Sequence, residues 1–295
     1  MQFEIKYDEM EILRTVDALR RAVEKARGEG LSIGLVPTMG ALHRGHMSLV
    51  ERARRECDVV VVSIFVNPTQ FNNPDDLLTY PRTEQADCAM LEAAGADFAF
   101  VPSSEEIYPE PDTRVFDLGP VAEVMEGAMR PGHFNGVAQI VSKLFGWVQP
   151  SRAYFGRKDI QQIAVIRRMA AIEGFAGEIV PCPIVREADG LAMSSRNTRL
   201  NAGQRAIAPA IHRALLDAVE ACKAGESVEQ VRRRAVDAID AVNGLRTEYF
   251  EIVHPDTMQP IACWEEAPQG AIGCITVYCG EVRLIDNISF TPVKP

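Results

Sequence analysis

The densest chemistry in the chain lies in one run, Pro37-Thr38-Met39-Gly40-Ala41-Leu42-His43-Arg44-Gly45-His46, set between an apolar strand and a helix. His43 and His46 stand three apart, so both rings can face one way where the loop enters the helix. Gly45 lets a ligand approach the backbone closely, and the N–H groups at a helix start favour phosphate. Imidazoles donate to phosphate oxygens whether neutral or protonated. A lone histidine is most often a core or surface residue. Two of the chain's five at a single strand–glycine–helix junction favour a phosphate site instead.

Four further blocks carry groups of the same kind. In Phe65-Val66-Asn67-Pro68-Thr69-Gln70-Phe71, Asn67 and Gln70 can fix a hydroxyl or carboxylate, although Asn-Pro alone marks only a turn. Downstream of Leu78-Thr79-Tyr80-Pro81-Arg82-Thr83, Asp87 reads by itself as a solvated helical charge. In Met129-Arg130-Pro131-Gly132-His133-Phe134-Asn135-Gly136-Val137, a loop leading into a helix from Val137, Arg130 and His133 serve either phosphate or the loop itself. In Tyr154-Phe155-Gly156-Arg157-Lys158-Asp159-Ile160-Gln161-Gln162, Lys158 offers phosphates a point charge at a helix entrance. Asp159 can cap that helix, and Gln162, four beyond Lys158, can face the same cleft. Last, Met193-Ser194-Ser195-Arg196 follows a Gly190 turn. Two hydroxyls and a guanidinium suit a phosphate loop. A polar linker is the plainer alternative, but the block sits at an expected domain boundary, where clefts form.

The elements around these blocks predict how they are positioned. Strands are expected at 33–36, 59–66, 97–101 and 179–184, and helices at 46–56, 83–94, 137–148 and 160–172, after an opening strand or coil and an amphipathic helix within the first 30 residues. That alternation implies an α/β fold with a parallel sheet covered on both faces, with ligands beyond the carboxyl ends of its strands. After about Val185 the pattern changes to helices at 203–222 and 227–242, the second opened by the capping box Ser227-Val228-Glu229-Gln230. Strands at 249–253, 271–278 and 282–286 follow, the last two joined at Cys279-Gly280-Glu281. Two domains are therefore expected: residues 1–185, and a smaller α+β domain over residues 186–295 that covers the active site.

Composition narrows the function classes. Hydrophobic residues make up 47% and charged residues 24%, as in a soluble globular chain. A net charge of −10 argues against general nucleic-acid binding, but a local cationic cluster still suffices for a single nucleotide. No run of 18 apolar residues predicts a membrane span, and the first residues do not read as a secretory signal. Seven cysteines without CxxC spacing suggest neither a disulfide framework nor zinc, which fits a reducing cytoplasm.

His43-Arg44-Gly45-His46 resembles the His-x-Gly-His signature of the class I aminoacyl-tRNA synthetase and nucleotidyltransferase superfamily, which performs chemistry at the ATP α-phosphate. Taken in order, VPTMGALHRGHMSL, FVNPTQF, LTYPR, RPGHFNGV, YFGRKDIQQ and GLAMSSRN resemble the pantothenate synthetase family from about residue 33 to 200. Thr69 and Arg157 depart from the residues usual in that family. The resemblance implies a Rossmann-like doubly wound sheet. It also implies ATP-dependent joining of pantoate and β-alanine through pantoyl adenylate, with Mg²⁺, in a cytoplasmic homodimer. It places His43 and His46 near the α-phosphate, Lys158, Ser194, Ser195 and Arg196 on the phosphates and leaving pyrophosphate, and Asp87 with the metal. Gln70, Gln162 and Met39 then bind pantoate, while Gly156 and Asp159 meet adenosine. Pro37, Thr38, Met39, Gly40, Gly45, Arg157, Val185 and Met193 complete the implied ATP site. A nucleotidyltransferase with a phosphorylated acceptor is the nearest rival, followed by a non-catalytic nucleotide sensor. A tRNA synthetase is disfavoured by the net charge and by the lack of a recognisable anticodon domain.

Overall fold

A computed structural model describes residues 9–291; residues 1–8, where part of the expected opening strand falls, lie outside them. The first elements are β1 (Glu11–Leu13), α1 (Val16–Gly28), β2 (Ile33–Thr38), α2 (Arg44–Glu56), β3 (Val59–Ile64), α3 (Pro74–Thr79), α4 (Glu84–Ala93), β4 (Phe98–Phe100) and α5 (Ser104–Ile107). Next come α6 (Glu126–Met129), α7 (His133–Val148), β5 (Arg152–Gly156), α8 (Ile160–Ile172) and β6 (Glu178–Cys182). The chain ends in α9 (Ala202–Ile207), α10 (Ala210–Lys223), α11 (Val228–Asp240), β7 (Leu245–Val253), β8 (Ala271–Cys279) and β9 (Val282–Phe290). Two compact units emerge among the described residues: 9–117, 132–156 and 166–182 form the first, and 118–131, 157–165 and 183–291 the second.

The first unit holds six parallel strands in the order β1-β4-β3-β2-β5-β6. All six residues of β3 are buried, as expected of a strand covered on both faces. Val36, Val60, Val62 and Ala99 pack with Val50 and Ala53 of α2 and Leu91 of α4. On the other face α7 brings Trp147 edge-on to Phe100 at 6.2 Å. From β2 the chain steps outward through β3 and β4; β5 and β6 continue on the opposite side. The switch point thus falls between β2 and β5, where such sheets bind ligands. The loop that follows Thr38 and the end of β5 at Gly156 flank it.

The second unit is an antiparallel sheet, β7-β8-β9. Alternation along β8 divides two apolar clusters. Ala271, Ile275, Val277 and Cys279 join α10 and α11. Ile272 and Cys274 instead meet Met125, Val253 and Met258, together with Ile160 of α8.

Several expectations needed correction. The helix expected from Val137 starts at His133, because Gly132, at φ 82°, turns the chain one residue before it. The helix expected over 203–222 is broken into α9 and α10 at Pro209, which lacks the N–H that a continuous helix would use. Arg152–Gly156, for which no strand is expected, is the strand β5, and Tyr154-Phe155-Gly156 of the Lys158 block form its end. Ser227 and Gln230 do form the expected capping box. Among the described residues, no helix is long and apolar enough to cross a membrane.

Candidate active site

The loop after β2 is wound tightly. Gly40 and Ala41 both adopt positive φ, 78° and 50°, a conformation that disfavours any side chain with a Cβ. Thr38 fixes its start, donating from Oγ1 to Ser63 O at 2.6 Å and accepting the Gly40 N–H at 3.2 Å. His43 is the N-cap of α2 and His46 its third residue. His43 Nδ1 accepts the Gly45 N–H at 3.1 Å, and His46 Nδ1 accepts the His43 N–H at 3.3 Å. With Nδ1 accepting in both rings, each neutral imidazole carries its proton on Nε2. The ring centroids lie 4.0 Å apart. The pair therefore forms two neighbouring N–H donors at a helix N-terminus, a suitable partner for phosphoryl oxygens.

Asp87 is not the solvated charge that its position in a helix suggests. It is 2% exposed, and its oxygens accept the N–H groups of Ala41 at 2.9 Å and Leu42 at 2.8 Å and the Thr83 hydroxyl at 3.1 Å. Among the described residues, no group of three or more His, Cys, Asp or Glu could hold a metal ion.

Gln70 and Met39 are brought together, with Gln70 Nε2 lying 3.0 Å from Met39 Sδ. Asn67 is spent on building this corner. Its Nδ2 donates to Gln70 Oε1 and to Gly136 O, each at 3.1 Å, and its Oδ1 accepts the Tyr108 hydroxyl at 2.8 Å. Burial pushes the Tyr108 phenol up, which keeps it a donor. His133, buried in the first turn of α7, donates from Nδ1 to Gln70 O at 2.8 Å. This contact assigns His133 to holding the loop. Tyr108 left no local signal in the sequence.

In the second unit, Lys158 lies in a 3₁₀ turn, Arg157–Asp159, that leads into α8. Its Nζ is 3.8 Å from Asp159 Oδ1, while Gln162 is half-buried in the first turn of α8. Asn287 Nδ2 donates to the carbonyls of Arg157 at 2.8 Å and Lys158 at 2.9 Å, and so fixes the turn. Its neighbour Asp286 takes two hydrogen bonds from Arg186, at 2.6 and 3.0 Å. These two consecutive buried polar residues interrupt the apolar run of β9 and anchor both candidate phosphate segments. That interruption is the trace these anchors leave in the sequence.

The second of those segments folds back on itself through a bridge between Arg186 and Ala192 and a Met193 N–H to Val185 O bond of 3.0 Å. Gly190 turns it at φ 92°. Ser194 Oγ then accepts the Arg196 N–H at 3.2 Å, opening the 3₁₀ turn Ser195–Arg199. Ser195 is buried and Arg196 half-buried. Arg130 is half-buried. Burial weakens its hold on the proton, as do the charges of Arg196 and Arg283, and Glu126 opposes them.

A family model described as pantoate-beta-alanine ligase matches residues 11–289. The pantothenate synthetase of Porphyromonas gingivalis is 59% identical over 281 residues, spanning 95% of this chain and 99% of that protein. The crystal structure of pantothenate synthetase from Thermus thermophilus, 48% identical, matches with a TM-score of 0.90 over 96% of this chain and 100% of that one. The pantoate-beta-alanine ligase of Francisella tularensis, solved in complex with beta-gamma ATP and beta-alanine, is 34% identical with a TM-score of 0.79, covering 95% and 97% of the two chains. With these matches running nearly end to end, the chain belongs to the pantoate–β-alanine ligase family.

Proposed function

We propose that this enzyme joins pantoate to β-alanine in two steps, through a pantoyl adenylate. The pantoate carboxylate oxygen attacks the α-phosphorus of ATP, and the bond from that phosphorus to the β-phosphate bridging oxygen breaks. Pyrophosphate leaves. The β-alanine amine then attacks the acyl carbon, loses a proton and expels AMP, leaving pantothenate. Adenylation matters because a free carboxylate would have to expel oxide.

The observation that carries this reading is the His43–His46 pair, held as two Nε2–H donors at the switch point of the sheet. The first step brings an anion to a polyanion, so donors fixed in advance lower its barrier. In the same unit, Gln70 beside Met39 supports binding of the pantoate hydroxyl and carboxylate. Lys158, Ser194, Ser195 and Arg196, with Gln162, are assigned to the phosphates and to pantoate in the second unit. Gly156 and Asp159 are assigned to adenosine. No protein nucleophile is required, so catalysis rests on position and charge. Mg²⁺ belongs to this reading as the companion of the triphosphate, where it neutralises phosphate charge. A homodimer in the cytoplasm is part of the same proposal, taken from the family resemblance.

The test is a pyrophosphate-release assay with ATP and pantoate, first without and then with β-alanine. Pantoate-dependent pyrophosphate is expected before the amine is added, and AMP with pantothenate afterwards. Absence of pantoate-dependent release, with AMP transfer to a phosphorylated acceptor instead, overturns the reading.

A further inference from the structure

The family resemblance gives Asp87 to the metal, but its surroundings do not fit that role. Mg²⁺ requires near-octahedral oxygen ligands at about 2.0–2.1 Å and usually keeps several waters. Asp87 is 2% exposed, and three donors converge on its carboxylate: the Ala41 N–H on Oδ2, and the Leu42 N–H and Thr83 hydroxyl on Oδ1. Gly40 adds to the crowding, since a Cβ there would stand 3.0 Å from Oδ2. Among the described residues, no group of three or more His, Cys, Asp or Glu forms a metal cage around it.

What Asp87 does fit is the loop. The two N–H groups it accepts belong to the residues between Gly40 and His43. Ala41 holds φ 50° without being glycine, and a residue kept in that region needs its surroundings to hold it there. The very next residue after Leu42 is the N-cap that orients both imidazoles. We propose that Asp87 is a positioning residue: its carboxylate pins Ala41 and Leu42, and thereby sets the direction of the His43 and His46 Nε2–H donors. The catalytic consequence rests on the function proposed above; the anchoring does not.

Two measurements on the full-length protein test it. In the wild type without nucleotide or metal, hydrogen exchange at the Ala41 and Leu42 amides should be strongly protected. Exchange as fast as in an open loop overturns the anchor whatever the enzyme's activity. In Asp87→Asn the side-chain amide turns a donor toward a backbone donor. Exchange at those two amides should rise, and turnover should fall, by about tenfold or more, on the scale of a charge-assisted hydrogen bond. The Mg²⁺ concentration for half-maximal rate should stay within about twofold, because no ligand to the ion is lost. A large rise in that concentration, with turnover restored at high Mg²⁺ and the two amides unchanged, overturns the proposal. A wild type that releases no pyrophosphate with pantoate sinks the functional reading alone, and the exchange data still decide the anchor.

Discussion

Arg283 grips Glu126 with two hydrogen bonds of 2.7 Å, one to each carboxylate oxygen. Tyr249 adds a third at 2.7 Å and Thr276 a fourth at 3.1 Å. Glu126 opens the short helix α6, so this cluster ties the segment 118–131 to β7, β8 and β9. Removing one partner of such a buried pair leaves an uncompensated charge, at a cost of about 3–5 kcal/mol. Arg283→Met should therefore lower the denaturant midpoint markedly. The double variant Glu126→Leu/Arg283→Met should recover part of the loss, since neither member of the pair is left facing the other's empty place, while Arg130 and Glu248 each lose one partner. Equal loss in single and double variants would show that packing, and not the pair, sets the cost.

The same carboxylate predicts how the protein meets acid. Burial disfavours its charge, but the hydrogen bonds and charge of Arg283 outweigh burial and hold it down at about 2, against the usual 4.5. A carboxyl depressed in the folded state stabilises fully above its unfolded value, and that contribution disappears as pH falls toward the folded one. Stability should thus decline between pH 4.5 and about 2. Glu126→Gln, though less stable at neutral pH, should show a shallower decline of the denaturant midpoint across that window. An identical slope in both proteins would assign the acid sensitivity to other groups.

Removing a donor that the proposed function assigns to the phosphates should strike turnover and leave the fold. His46→Ala and Lys158→Ala are each expected to lower turnover by ~10²-fold or more at saturating ATP, the scale of a lost preorganised donor. His46→Gln should retain more activity than His46→Ala, because the glutamine amide can present an N–H near the place of Nε2–H. Steady-state rates, with circular dichroism as a check on folding, decide this. Near-wild-type turnover in either alanine variant removes that residue from the phosphate site.

The sequence showed where the donors sit better than what holds them. The helical spacing of His43 and His46 and the unbroken Val59–Val62 run were legible because both are local patterns. Asn287 lies 130 residues from Arg157, and no local pattern links the two. Asp87 by itself reads as solvated because a single acid in a helix looks the same whether its oxygens meet water or the N–H groups of residues 45 and 46 positions earlier. His133 fell outside its helix because Gly132 and Pro131 read as a turn, and they are one, but the helix begins directly after it. Such partners become visible only when tertiary folding brings them together.

Gly136 links α7 to the corner where Gln70 meets Met39. It lies inside α7, where glycine weakens a helix. The reason is space: a Cβ at this position would stand 2.3 Å from Thr69 O and 2.7 Å from Gln70 N, both backbone atoms that cannot swing aside. Gly136→Ala must therefore push the turn Pro68–Gln70 away from α7, straining the Asn67 bond to Gly136 O and the His133 bond to Gln70 O. Overpacking of this kind costs about 1–3 kcal/mol, and a displaced Gln70 loses its place beside Met39. The Michaelis constant for pantoate should rise by roughly tenfold or more, as misplacement of a binding group by about 1 Å implies. The constant for ATP should move much less, because the His43–His46 cap is held by Thr38 and Asp87 and not by α7. Kinetics with each substrate varied in turn separate the two. Equal shifts in both constants would mean that Gly136 supports the whole unit, and an unchanged pantoate constant would remove Gln70 from the pantoate site.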